Sequence, residues 1–249
     1  MRSKSLLAVA VGAALVALAA PTAQAAPPRV PLTCGMVLTR DATVYLTHDL
    51  TCRTSVGVEV DYPEGEDYPA VPHVTVDLRG HTLRGSGKLY SVGIGGGSDE
   101  GGSVQLRVIN GRAENWTWGV FGGSTSRVER MKLTGNQVGY GCNSSCALID
   151  SYLARNKDSG LSAADAGVTV RGTIFADNPR GIHMAIGGLD VRRSVFARNT
   201  VGIEAPLAGT SVAKSAFLDN DTAISVGDNC PTLSYNVFVR NGTDVDSTC

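Results

Sequence analysis

The second half of the chain alternates short apolar bursts with polar breaks, and the alternation repeats. Successive stretches read TVRGTIFADNPRGIHM (169–184), DVRRSVFARNTVGIEA (190–205), SVAKSAFLDNDTAISV (211–226) and TLSYNVFVRNGTDVDS (232–247). Asparagines recur at Asn115, Asn136, Asn156, Asn178, Asn199, Asn220 and Asn241, in steps of 21, 20, 22, 21, 21 and 21 residues. Three residues before the later ones stand Leu133, Leu153, Phe175, Phe196, Phe217 and Phe238; eight before stand Val128, Leu148, Val170, Val191, Val212 and Leu233. After them come Gly139, Gly160, Gly181 and Gly202, each followed by Tyr140, Leu161, Ile182 or Ile203. A fixed period of this length marks a solenoid.

The bursts are too short for helices and suit strands broken by Gly, Asn, Asp and Ser. Helical-pair repeats run longer and need uninterrupted helix formers, and the leucine-rich signature is absent. The pattern therefore predicts an all-β chain: a right-handed parallel β-helix of about eight turns, with three short strands per turn. Turns would stack about 4.8 Å apart, so Phe lies on Phe and Ile on Ile. Asn on Asn would exchange amide hydrogen bonds at a partly buried corner, and the glycine after it would permit a tight turn. The residues just before the asparagines, Arg155, Asp177, Arg198, Asp219 and Arg240, alternate in sign, so each should stack between opposite charges.

Residues 1–25 carry the pattern of a secretory signal: Arg2 and Lys4, an apolar stretch from Leu6 to Ala20, then Ala23-Gln24-Ala25. This predicts a secreted protein whose mature chain, 26–249, is one β-helix domain, with residues 34–73 as an N-terminal cap and first turn. The apolar stretch is too short for a membrane span. Six cysteines follow it, an even number that favours disulfides over metal. Pairing sequence neighbours gives Cys34–Cys52, Cys142–Cys146 and Cys230–Cys249, one connectivity of several. The formal net charge is −1; with no basic tract in the sequence, nucleic acid is not an expected partner.

The segment CGMVLTRDATVYLTHDLTC (34–52), then VTVDLRGHTLRGSG (74–87), then the Asn–Gly–Ile repeats, resembles the secreted right-handed β-helix proteins of the pectate-lyase-like superfamily. The resemblance spans about 34–249. It implies the coil, with DLRGHTLRG (77–85) as an early turn, and a polysaccharide as partner. The superfamily includes lyases, polygalacturonases, uronan epimerases and proteins without known activity. The chain has no aspartate set of the polygalacturonase kind, no DPH motif and no calcium-plus-arginine arrangement, so the resemblance leaves activity open.

A ligand in such a fold lies along one strand face. If Ile182 points inward, its neighbours point outward, giving the column Glu59, Gly95, Phe121, Gly141, Ser162, His183, Glu204, Ser225 and Asp246. His183 and Glu204 are the candidate catalytic pair, a base beside a carboxylate. Arg180, Ser162, Ser225 and Phe121 are candidate substrate contacts, Arg180 against a uronate carboxylate. The loop 61–73 carries Asp61, Glu64, Glu66 and Asp67 with Tyr62 and Tyr68. Its clustered carboxylates could bind Ca²⁺, but their spacing does not match a calcium loop, so a solvated acidic loop is the expectation and no cofactor and no metal ligand is assigned. Asp99 and Glu100 lie in a glycine-rich loop. Trp116 and Trp118 are expected to divide, one buried and one partly exposed. The sequons at Asn115, Asn143, Asn220 and Asn241 are read as structural where they fall on the ladder. Two functions fit a monomer of this kind: binding or cleaving an extended extracellular polysaccharide, as lyase or hydrolase if catalytic, or serving as a non-catalytic wall scaffold or adhesion protein.

Overall fold

A computed structural model describes residues 27–61, 71–97, 104–123 and 125–248. The signal segment, most of the acidic loop with Glu64, Glu66 and Asp67, Asp99, Glu100 and Cys249 lie outside the described residues. Within the described residues every strand pairs in parallel with the strand one turn away, giving a right-handed parallel β-helix without α-helix. No helix there is long and apolar enough to cross a membrane. The turns number about nine, close to the about eight expected. The stack begins ahead of the asparagine repeats: Arg29–Pro31 pairs with Ala42–Tyr45, and Met36–Leu38 with Val56–Val60.

Each turn presents three faces. Face A holds Val92–Gly96, Trp118–Gly122, Val138–Cys142 and the first residues of Ser159–Arg171 and Arg180–Arg192. Face B holds Ser145–Ile149, the last residues of those two long strands, and Leu207–Ala213. Face C holds Tyr152–Ala154, Ile174–Ala176, Val195–Ala197 and Ala216–Leu218. The period of about 21 residues fits three short strands and their corners because neighbouring rungs lie about 4.8 Å apart. Phe175, Phe196, Phe217 and Phe238 stack with ring centroids 4.8, 4.8 and 5.1 Å apart and nearly parallel planes. Ile182, Ile203 and Ile224 are fully buried beside them.

The asparagine ladder forms at the corner between faces C and A. The backbone N–H and Nδ2 of Asn156 both donate to Oδ1 of Asn178, each at 3.0 Å, and Nδ2 also donates to the Leu133 carbonyl at 3.2 Å. Asn178, Asn199 and Asn220 repeat this pattern toward the next asparagine. Every donor of a buried amide is thereby met. Asn115 does not belong to it. Thr134 pairs with Glu114, so Asn136 lies over Trp116, whose N–H donates to Asn136 Oδ1 at 3.0 Å. The 21-residue step from Asn115 hides a one-residue offset. Trp116 closes the ladder, 2 % exposed, its indole N–H on the Leu83 carbonyl at 3.2 Å. The glycines after the ladder make no turn. Their φ is not left-handed; a Cβ at Gly160 would lie 2.7 Å from the Gly181 carbonyl oxygen and 2.8 Å from the Phe175 ring. They are small because the next rung's carbonyl oxygen and an inward side chain, Leu153 beside Gly139 and phenylalanines beside Gly160, Gly181 and Gly202, fill the space a Cβ would need.

The left-handed residues are those before the ladder: Asn115, Gly135, Arg155, Asp177, Arg198, Asp219 and Arg240, with φ from 53° to 67°. The alternating charges among them stack as expected, each aspartate between two arginines, Asp177 feeling Arg198 and Arg155 and Asp219 feeling Arg240 and Arg198. The direct bonds run one way along the column, Arg198 to Asp177 at 2.7 and 2.9 Å and Arg240 to Asp219 at 2.6 and 2.8 Å. Hydrogen bonding from Arg198 holds the Asp177 carboxyl below its usual range.

A second corner, between faces B and C, repeats the device with other residues. Asn110, Arg130, Asp150, Gly172, Arg193, Lys214 and Tyr235 are left-handed there, with φ from 46° to 62°. Each of the last five is followed by a member of a second ladder: Ser151, Thr173, Ser194, Ser215 and Asn236. Their side-chain oxygens accept the backbone N–H of the preceding rung, as in Ser151 N–H to Thr173 Oγ1 at 3.4 Å and Ser194 N–H to Ser215 Oγ at 3.2 Å. Their hydroxyls donate to the carbonyl two residues back. Cys34–Cys52 and Cys142–Cys146 are bonded as the spacing suggested. No cysteine is free among the described residues; the proposed partner of Cys230, Cys249, lies beyond them.

Candidate functional site

The outward column of face A falls in register over its whole length. Glu59 pairs with Gly95, then Phe121, Gly141, Ser162, His183, Glu204, Ser225 and Asp246 follow on successive rungs. This follows from strand alternation: Val58, Ile94, Val120, Tyr140, Leu161, Ile182, Ile203 and Ile224, each one residue earlier, are 0 % exposed.

Two features stand on this column. The first is a polar cluster. His183 Nδ1 and Glu204 Oε2 are 2.8 Å apart, and Arg180 NH1 donates to the same oxygen at 3.2 Å. Arg180 NH2 also binds Asp158, from the preceding rung. All four side chains are about one-third exposed. Burial works to lower the Arg180 pKa, but the bonds to Asp158 and Glu204 outweigh it and the net shift is upward. The guanidinium charge is thus already matched by two carboxylates. With Nδ1 turned to Glu204, the outer ring nitrogen of His183 is the one left for chemistry. Ser162 stands one rung before His183 without a hydrogen bond to it, so no activated hydroxyl is assembled. Glu204 and Asp158 both bind Arg180, so neither side chain is unpaired. Beneath them the Ser159 hydroxyl is buried without a partner.

The second feature is a notch of about 300 Å³ lined by Val56, Glu59, Val92, Gly95, Gly96, Gly97 and Phe121. Phe121 forms one wall, braced edge-on by Trp118 at 5.3 Å. Trp118 is half-buried while Trp116 is fully so, as their division predicted. A Cβ at Gly141 would lie 2.3 Å from the Trp118 ring, so glycine there lets the indole lie across the next rung. Gly95 forms an open floor, where a Cβ would come within 3.4 Å of Val92 alone among side chains. Glu59 is exposed at the rim. Phe121 and His183 are three rungs apart, about 14 Å along the coil.

Residue spacing did not reveal Asp158, although it precedes Ser159, the register partner of Arg180. Nor did it reveal Glu129, 8 % exposed, where Arg107, Arg127 and Arg130 converge at 2.9, 2.6 and 3.4 Å. Hydrogen bonds from Arg107 and then Arg127 outweigh burial and hold its carboxyl down to about 2. The signal was present: Arg107 and Arg127 are register partners two positions before it. Among the described residues no group of three or more His, Cys, Asp or Glu is placed to hold a metal ion.

The chain matches no family model, and searches of the curated proteins and of the solved structures find no match.

Proposed function

We propose that this protein is an exported β-helix of the pectate-lyase-like kind that holds an extended polysaccharide along face A, as a monomer. The observation that carries this reading is the shared outward column: the Phe121 notch and the His183–Glu204 cluster lie on one line, with Gly141, covered by the Trp118 ring, and Ser162 on the two rungs between them. Phe121 would stack against the apolar face of a sugar ring, with Glu59 accepting from its hydroxyls. Ser162 and Ser225 would contact the chain further along. The two disulfides accord with an oxidising compartment.

The geometry favours binding over turnover. A lyase needs a cation free to neutralise a uronate beside its base, and Arg180 is committed to Asp158 and Glu204. His183 is the group to suspect if chemistry occurs, with Glu204 fixing its tautomer. The scaffold alternative rests on the same column, where Gly95, Gly141, Ser162 and Ser225 offer little chemistry. A glycan screen of the mature protein, followed by calorimetry, tests the reading. Phe121→Ala should weaken the best neutral oligosaccharide by about tenfold, and His183→Ala should leave binding within about twofold. If no glycan binds, or Phe121→Ala changes nothing, the scaffold reading takes its place. Release of unsaturated uronate that His183→Ala abolishes would make it a lyase.

A further inference from the structure

The corner between faces B and C carries a groove that the face A column does not touch. Its volume is about 420 Å³, and Arg171, Arg192, Arg193 and Lys214 line it with the hydroxyls of Ser211 and Ser234. Arg171 and Arg192 are register partners on adjacent rungs. Arg193 and Lys214 follow Arg192 and Ala213, themselves register partners, so they too sit on adjacent rungs. Like charges therefore stack about 4.8 Å apart, an arrangement that costs stability unless something neutralises it. Asp190 accepts from Arg192 at 3.0 Å. Arg171, Arg193 and Lys214 have no ion pair or side-chain hydrogen bond among the described residues. Arg193 and Lys214 also hold left-handed φ of 52° and 53°, a conformation that disfavours long side chains. At the other left-handed corner the same strain comes with the matched pairs Arg198–Asp177 and Arg240–Asp219. Here it comes with unmatched cations on three successive rungs.

We infer that this groove binds an anionic polysaccharide, whose oxyanions, carried on successive sugars, take the place of the missing carboxylates. The cations rise along the coil axis, so they suit an extended chain rather than a single small anion. The serine hydroxyls add neutral donors for sugar oxygens. Tyr235, next in the corner column and 85 % exposed, offers one flat ring at the end of the row for a sugar face. The inference is independent of the face A reading, because no residue is shared.

The test is titration of the full mature protein with three probes, an oligogalacturonate (carboxylate), a sulfated oligosaccharide and a glycerol-phosphate oligomer, and with duplex DNA as the control. Asparagine tolerates left-handed φ, so Arg193→Asn with Lys214→Asn removes charge without breaking the corner; an unchanged or higher melting temperature verifies this. At least one probe should bind, and the double variant should weaken it at least about tenfold. Raising salt from about 50 to about 200 mM should weaken the parent protein more than the variant. Arg198→Asn, at the paired corner, should leave binding unchanged. Which probe binds distinguishes carboxylate, sulfate and phosphate as the oxyanion. The double variant should keep its affinity for any neutral oligosaccharide held on face A, so failure here and failure there are separable. Binding of none of the probes, or equal affinity of parent and double variant, overturns the inference. So does duplex DNA bound more tightly than every glycan with the same loss in the variant, which would make the partner a nucleic acid.

Discussion

The two left-handed corners of this coil solve one backbone problem in two ways. Each turns the chain through a residue at φ near 55° and then hands a backbone N–H to a polar side chain of the next rung. Each left-handed residue other than glycine costs on the order of 1–3 kcal/mol, asparagine least. At the corner between faces C and A the following residue is asparagine, whose amide supplies both acceptor and donors, and the flanking charges alternate and pair. At the corner between faces B and C the following residue from Ser151 to Ser215 is serine or threonine, which offers one hydroxyl, with an asparagine only at Asn236, and the flanking charges in the later rungs share a sign. The first corner is closed within the molecule. The second is closed structurally but left open electrostatically. In the earlier rungs even this corner has an internal anion nearby, Glu129, gathering Arg107, Arg127 and Arg130. From Arg171 to Lys214 only Asp190 plays that part at this corner among the described residues.

Breaking one ladder at each corner on neighbouring positions gives the largest contrast. Asn199→Ala strands the N–H and Nδ2 of Asn178 and the Phe175 carbonyl. At roughly 1–3 kcal/mol for each buried group left unmet, the loss should be about 3 kcal/mol or more. Ser194→Ala strands chiefly the Thr173 N–H and should cost about 1–2 kcal/mol. Urea unfolding of the two variants decides it; equal losses would mean that the amide ladder is no stronger than the hydroxyl one.

Acid titration is the next test, aimed at the internal anion. Glu129 has its folded pKa lowered from 4.5 to about 2. A depressed carboxyl contributes stability that is fully present above the unfolded value and is lost as pH falls through the folded one. Unfolding free energy should therefore fall between pH 4.5 and about 2, with Glu129 contributing on the order of 2–3 kcal/mol of that loss. Glu129→Gln should be destabilised at pH 7 and should titrate less steeply in this window. A variant as steep as the parent would place the acid sensitivity elsewhere.

The smallest effect is one of sign. Arg193→Asn removes a like-charge neighbour and eases a left-handed position, so it should raise the melting temperature, by less than about 1 kcal/mol in stability. Arg198→Asn eases the same backbone but breaks the bonds to Asp177, so it should raise the melting temperature less, or lower it. Matching shifts would show that the charges at the two corners are energetically alike, and the groove would lose its distinction.

The period, the phenylalanine stack, the ladder from Asn136 onward and the outward column from Glu59 to Asp246 were all legible in the sequence. The reason is physical. A solenoid places each residue on its own equivalent one turn later, so a repeat in sequence is a contact in space, and strand alternation fixes which side faces out. The hydroxyl ladder at Ser151, Thr173, Ser194 and Ser215 was equally periodic and was missed only because serine is common at turns. What the spacing could not decide was register and reach. A one-residue offset put Trp116, not Asn115, at the head of the ladder, since a 20-residue rung and a 21-residue rung look alike until the strands pair. The fate of each charge depended on side chains crossing between rungs: Arg180 bridging Asp158 and Glu204, three arginines turning to Glu129, and Arg171, Arg193 and Lys214 meeting no carboxylate among the described residues. Backbone repetition is local and survives in the sequence. Charge compensation is set by distances of a few ångströms between long side chains, and those exist only once the coil has closed.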